Sequence, residues 1–221
     1  MKNRVGVVLS GCGVYDGAEI HESVITLLAL CRAGANIKIM APNKDQMHVI
    51  NHLTGEPTNE TRNVLVESAR IARGDVSDIS EISCEQLDAL VIPGGFGAAK
   101  NLSDFAVKGV DCEVDLDVAR LIKEMHQAGK PIVAICITPA IVVKGLSMCG
   151  VSATVTIGRD EDTANNIEKM GGKHIEKDVR GVAVDNVNKV ITTPAYMLGQ
   201  DIAEIADGIE NAIAELMKML K

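Results

Sequence analysis

Apolar positions along the chain follow two alternating patterns: short unbroken runs, and longer stretches with apolar residues three and four apart. Residues 4–9, RVGVVL, form such a run, bounded by Ser10-Gly11. Ile20, Val24, Leu27, Leu28 and Cys31 then recur at helical spacing, Gly34 stops that helix, and NIKIM follows as a second strand. A further helix is predicted from near Thr58-Asn59-Glu60 to Gly74, with Val64, Leu65 and Ala69 on one face. ALVI, from Ala89 to Ile92, is a third strand, broken by Pro93-Gly94-Gly95. Val118, Leu121, Ile122 and Met125 mark a helix that Gly129 ends. PIVAIC and VSATVTI read as fourth and fifth strands, and Val182 to Thr192 as a hairpin. The last helix is predicted from about Met197 to Leu220, with Ile202, Ile205, Ile209, Ile213, Leu216 and Leu220 on one face.

Strands that are apolar on both faces and alternate with helices predict an α/β fold with a mostly parallel sheet between helical layers. With no repeat, low-complexity tract or linker in 221 residues, one domain spanning 1–221 is expected. The 47% hydrophobic content excludes a disordered chain. Thirty acidic against 22 basic residues, two Phe, two Tyr and no Trp leave neither the positive field nor the stacking platforms of a nucleic-acid binder. No apolar run approaches the ~18 residues of a membrane span. The start, MKNRVGVVLSGCG, lacks a long apolar segment and a small-residue cleavage site, so a cytoplasmic protein is expected.

Six cysteines, Cys12, Cys31, Cys84, Cys112, Cys136 and Cys149, include no C-x-x-C pair and no finger-like spacing to histidine. A structural zinc site and a disulfide scaffold are therefore not expected.

Ligand sites of open α/β sheets lie beyond the carboxyl ends of the strands, and three such ends carry unusual sequence. After the first strand comes Ser10-Gly11-Cys12-Gly13-Val14-Tyr15-Asp16-Gly17. Asp16 stands where a dinucleotide fingerprint needs glycine, and the second strand ends in Met40-Ala41-Pro42 without an acid for a ribose, so NAD binding is not expected. Glu22, in the helix that follows, reads from its pattern as a solvent-facing carboxylate. The second end, Pro93-Gly94-Gly95-Phe96-Gly97, allows close backbone approach to a ligand, or is simply a tight turn. At the third, a buried strand runs into Cys136, and Thr138-Pro139 can open a helix with Thr as its cap. A cysteine there is either a nucleophile on a strand-to-helix elbow, facing a helix N-terminus, or a buried structural thiol. The residues alone leave both open.

The strings GAEIHESVI, LVIPGGFGAAKNLSD and GKPIVAICITPA resemble the ThiJ/PfpI superfamily, related to class I glutamine amidotransferases. SGCGVYDGAEIHE, NHLTGE, ETRNVL and TTPAYML resemble more narrowly its ElbB group, also called sigma cross-reacting or isoprenoid-biosynthesis glyoxalase-like proteins. The resemblance implies a flavodoxin-like three-layer sandwich, a homodimer, and Cys136 as the elbow nucleophile. It places the family's sulfur-bonding glutamate on Glu22, protonated beside a thiol of lowered pKa, and an oxyanion hole on the amides of Gly95 and Ile137.

The implied activity is a glyoxalase of hydro-lyase type that needs no cofactor or metal and turns a small aldehyde into a 2-hydroxy acid. The alternative is a catalytically weak regulatory or redox-sensing dimer using the same cysteine. The chain departs from many superfamily members after the elbow, where Ile137-Thr138-Pro139 stands and no histidine follows. His174-Ile175-Glu176 has the spacing of an amidotransferase triad, but in a predicted strand, where a structural role is expected.

Overall fold

The computed structural model describes residues 2–221. Its strands are β1 (Arg4–Val8), β2 (Asn36–Ala41), β3 (Ser77–Asp78), β4 (Ala89–Ile92), β5 (Ile132–Ile135), β6 (Thr154–Val155), β7 (Lys173–His174), β8 (Ala183–Asp185) and β9 (Val190–Thr193). The helices are α1 (Ile20–Arg32), α2 (Val64–Ala72), α3 (Phe96–Lys100), α4 (Phe105–Lys108), α5 (Leu116–Gln127), α6 (Thr138–Ser147), α7 (Glu161–Lys169) and α8 (Ile202–Met219). A seven-stranded sheet runs in the order β3-β2-β1-β4-β5-β9-β8, parallel except for the β8–β9 hairpin. The α/β fold is thus the flavodoxin-type sandwich expected.

Successive strand residues face opposite cores. Val5, Val7, Val91 and Ile135 pack with Leu30 of α1 and Ile205, Ile209, Ile213 and Leu216 of α8. Leu90, Ile92, Ile132 and Ala134 pack with Leu121, Ile122 and Met125 of α5 and Ile141 and Val142 of α6. The chain leaves β1 toward β2 on one side and returns to β4 on the other, so the topological switch point lies between β1 and β4. The ends of β1, β4, β5 and β9 therefore open on one crevice.

Several expectations are corrected. VSATVTI is not a strand of the main sheet. Only Thr154–Val155 is extended, and it pairs with β7 in a separate two-stranded sheet. The place beside β5 is taken by β9, whose four residues are all buried, in register Val133↔Ile191. Helix α2 begins at Val64, capped by the Asn63 side chain, because bridges Ile50↔Pro57 and Asp45↔Asn63 hold the preceding residues in an extended arm. Helix α8 begins at Ile202, where the Asp201 carboxylate accepts the N–H groups of Ala203 and Glu204.

Helix α1 is turned relative to its apolar stripe. Glu22, Ser23, Thr26, Ala29 and Leu30 face inward, while Ile20, Val24 and Leu28 are 43%, 49% and 44% exposed. This orientation predicts that Leu28→Gln changes stability by no more than about 0.5 kcal/mol. Leu30→Ala, two positions on, costs about 2–5 kcal/mol as a core truncation. Urea denaturation of the two variants distinguishes this orientation from the one the stripe suggests.

Candidate active site

The chain turns from β5 into α6 through Cys136, whose φ of 65° is left-handed. For a residue with a side chain this costs on the order of 1–3 kcal/mol and persists only where the surroundings enforce it. The Cys136 N–H donates to the Thr193 carbonyl of β9 at 3.0 Å. The Thr138 hydroxyl accepts the Ile135 N–H at 2.7 Å, and its proton is within reach of the carbonyls of Ile92 at 2.9 Å and Ile135 at 2.8 Å. Thr138 is therefore a brace tying the end of β5 to the end of β4, not the expected cap. The capping position is Ile137, without a side-chain bond, and Pro139 lies in the first turn as expected.

Glu22 is not the surface carboxylate of its sequence pattern. It is 0% exposed and projects from the first turn of α1 toward Cys136. One carboxyl oxygen accepts the Gly94 N–H at 2.9 Å, the other the Tyr196 N–H at 3.1 Å. The Cys136 thiol donates to the same carboxyl, and the amides of Gly95 and Ile137 are directed at the sulfur. All four residues singled out in the sequence thus meet at one point. Gly94 is what lets them meet: a Cβ there would fall on the Cys136 Cβ and lie 2.5 Å from the Glu22 carboxyl oxygen.

Burial pushes the Glu22 carboxyl from an ordinary 4.5 to about 7, reinforced by the Glu19 carboxylate and opposed by its three donors. Burial, and then the adjoining Glu22 charge, push the Cys136 thiol well above its usual value, against the pull of the Gly95 and Ile137 amides. The lowered thiol pKa implied by the resemblance is therefore corrected. The helix N-terminus and two amides do not outweigh burial and a neighbouring carboxylate.

Above the sulfur is a cavity of about 360 Å³ lined by Cys136, Gly95, Ile137, Glu19, Tyr196 and Asp160, with Val14, Phe96, Thr163 and Met197 completing it. No histidine lines it among the described residues. His174 accepts the Ile157 N–H at 3.4 Å, Glu176 lies 3.9 Å from Arg159, and neither lines the cavity. His21 faces outward from α1, its Nδ1 2.8 Å from the Tyr196 hydroxyl.

Two participants escaped the sequence reading. Glu19 caps α1, accepting the Glu22 N–H at 2.7 Å, and lines the cavity. Tyr196 follows Ala195, a buried non-glycine residue at φ 44°, and supplies both a backbone donor to Glu22 and part of the wall. Its signal was the string TTPAYML at the end of a strand beside β5, legible only once β9 is known to pair there.

A parallel α/β sandwich with a cysteine on a strained elbow and a buried glutamate against its sulfur defines a class. Within that class the chain belongs to the DJ-1/PfpI family, whose model matches residues 12–197. It is 49% identical over 226 residues to human glutamine amidotransferase-like class 1 domain-containing protein 3, mitochondrial, covering 98% of this chain and 83% of that one. To the rat ES1 protein homolog, mitochondrial, it is 47% identical, covering 98% and 84%. A crystal structure of an isoprenoid biosynthesis protein with amidotransferase-like domain from Ehrlichia chaffeensis superimposes with a TM-score of 0.92 at 40% identity, covering 98% and 99%. The expectation of a cytoplasmic protein is overturned by the mitochondrial relatives. It rested on the stretch MKNRVGVVLSGCG, of which Arg4–Val8 form strand β1 of the sheet.

Two outcomes follow from the geometry. Gly94→Ala, by driving a methyl group between Glu22 and Cys136, is expected to separate the pair, seen as a changed Cys136 alkylation rate in a protein with unaltered secondary structure. The second concerns pH. A carboxyl at about 7 folded and 4.5 unfolded binds more protons in the native state between those values. Its contribution therefore falls as pH rises from 4.5 to 7 and is flat above, a loss of roughly 3 kcal/mol. Urea denaturation across this range should show the slope in the wild type and not in Glu22→Gln.

Proposed function

We propose that this protein is a cofactor-independent glyoxalase acting on small 2-oxoaldehydes. The observation that carries the reading is the Cys136 sulfur at the floor of a small cavity, with a proton-accepting carboxyl buried against it and two amides aimed at it. For glyoxal, the Glu22 carboxylate takes the thiol proton as the sulfur adds to one aldehyde carbon. The amides of Gly95 and Ile137 stabilise the oxyanion while it forms, and Glu22 returns the proton to it, leaving the hemithioacetal hydroxyl and a free carboxylate. The carbon so attached lies one bond from the sulfur that Glu22 contacts. Glu22 can therefore remove its proton to give an enediolate; the hydroxyl proton on the first carbon passes to the second oxygen, and Glu22 returns its own proton to the second carbon. The product is a thioester of glycolate on Cys136. Water cleaves it, returning the thiol and releasing glycolate, so that glyoxal plus water gives glycolic acid with no net redox change.

The raised thiol gives Glu22 the role of general base for addition, in place of a resting thiolate. A redox-sensing role is the poorer fit, because oxidation follows thiolate character and exposure, and Cys136 is 8% exposed with its thiol held protonated.

Incubation with glyoxal and detection of glycolate by NMR test the reading. Wild-type protein is expected to form glycolate and Cys136→Ala none. Glu22→Gln is expected to fall by roughly 10²–10⁴-fold, the usual effect of losing a general acid–base. The wild-type rate is expected to rise with pH through about 7, as Glu22 ionises. Equal glycolate from wild type and Cys136→Ala would sink the proposal.

A further inference from the structure

The wall of the Cys136 cavity is electrostatically one-sided. Glu19 and Asp160 are the charged residues on it, one at the cap of α1 and one at the cap of α7, and no lysine or arginine lines it among the described residues. Glu19 is 8% exposed and turns one oxygen to the Glu22 amide at 2.7 Å, so its charge is fixed in place. Asp160 is held likewise by the Thr163 N–H at 2.8 Å. The nearest cations in sequence are directed elsewhere. Lys100 donates to the Tyr15 carbonyl at 2.8 Å and lies 5.5 Å from the centre of the Phe96 ring, and it lines a different cavity, around Ser103 and Leu116. Arg159 faces Glu176 at 3.9 Å. The remaining surface is largely apolar, from Val14, Phe96, Ile137 and Met197, so the charge of the buried Glu19 is weakly screened, while Asp160 is exposed.

We infer that Glu19 and Asp160 set a charge filter over Cys136: electrophiles without negative charge enter, those carrying a cation are favoured, and phosphate- or carboxylate-bearing aldehydes are refused. The inference rests on Cys136 being the reacting group of the proposed function and names the class of substrate that group meets. Anions gain nothing here, since a phosphate or carboxylate site needs a guanidinium, an ammonium or a free helix N-terminus. Of the four helix N-termini on this wall, those of α1 and α7 are occupied by the Glu19 and Asp160 carboxylates, and those of α3 and α6 present the Gly95 and Ile137 amides to the sulfur.

The test uses the thiol itself and does not depend on turnover. Two methanethiosulfonate reagents of similar size, one with a trimethylammonium tail and one with a sulfonate tail, are reacted with the wild-type chain at one pH. Modification of the Cys136 peptide is followed by mass spectrometry, and each rate is divided by the same reagent's rate with a free thiol. The cationic reagent is expected to be favoured by about tenfold or more at low salt, with the bias shrinking as salt is added. Glu19→Gln and Asp160→Asn keep a carbonyl oxygen for each cap, so folding is preserved, which circular dichroism checks. Each variant is expected to lower the ratio at least about threefold, and the double variant to bring it near unity. A wild-type ratio near or below one, or a ratio unmoved in the double variant, overturns the charge filter. The glycolate assay stands apart: loss of the glyoxalase reading leaves the reagent ratio intact, and loss of the ratio leaves glycolate formation from uncharged glyoxal intact.

Discussion

The contact between a buried carboxyl and a buried thiol is the constraint from which the rest of the structure can be read. A carboxyl with no exposure must find donors or be expelled. Glu22 finds three, each delivered by a different strand end: Gly94 after β4, Cys136 after β5 and Tyr196 after β9. Glu22 itself enters from the helix after β1. Four connections must therefore converge, and only a parallel sheet with β1, β4, β5 and β9 adjacent brings their carboxyl ends to one edge. The same convergence braces the strained elbow, because Thr138 and the Cys136 amide anchor to β4 and β9.

That contact also sets the phase of α1. With Glu22 inward, the residues beneath the helix are Ser23, Thr26, Ala29 and Leu30, mostly small, which lets the helix lie close on the sheet. The apolar residues at 20, 24 and 28 then lie outward. Local pattern and global structure conflict here, and such a conflict is expected where a site constrains an element more strongly than burial of its best apolar face.

This explains which features were legible in the chain. Strands β1, β2, β4 and β5, the α5 face, the α8 face from Ile205 to Leu216 and the β8–β9 hairpin followed from periodicity, because there burial alone decides, whereas Ile202, read on the same α8 face, is exposed. The elbow was visible as an apolar strand running into Cys136 and Pro139. Glu22 was not visible from periodicity, which placed it among solvent-facing positions; only the resemblance of the surrounding strings to a known family moved it to the site. Glu19 and Tyr196 were missed because their roles depend on tertiary position. One is a helix cap inside the string GAEIHESVI, where nothing local turns it toward the sulfur, and the other follows a strand whose neighbour in the sheet is 58 residues distant in sequence, as in the pairing Ile132↔Val190. The misplaced fifth strand has the same origin. Apolar runs at 151–157 and 190–193 compete for the place beside β5, and nothing local ranks them.

The protonated resting state of Cys136 bears on why a strained elbow is retained at all. A thiolate at an open helix N-terminus reacts with any oxidant or electrophile that reaches it. In the proposed reaction the thiol becomes nucleophilic only as Glu22 accepts its proton, and Glu22, with a pKa of about 7, is divided between its two forms at neutral pH. Reactivity is thereby coupled to a partner able to return the proton. The left-handed turn at Cys136 holds the sulfur beside both that carboxyl and the cavity, two neighbours a relaxed backbone would not be required to satisfy together. The strain, the buried acid and the small cavity therefore form one device, in which each part is unfavourable alone and is justified by the other two.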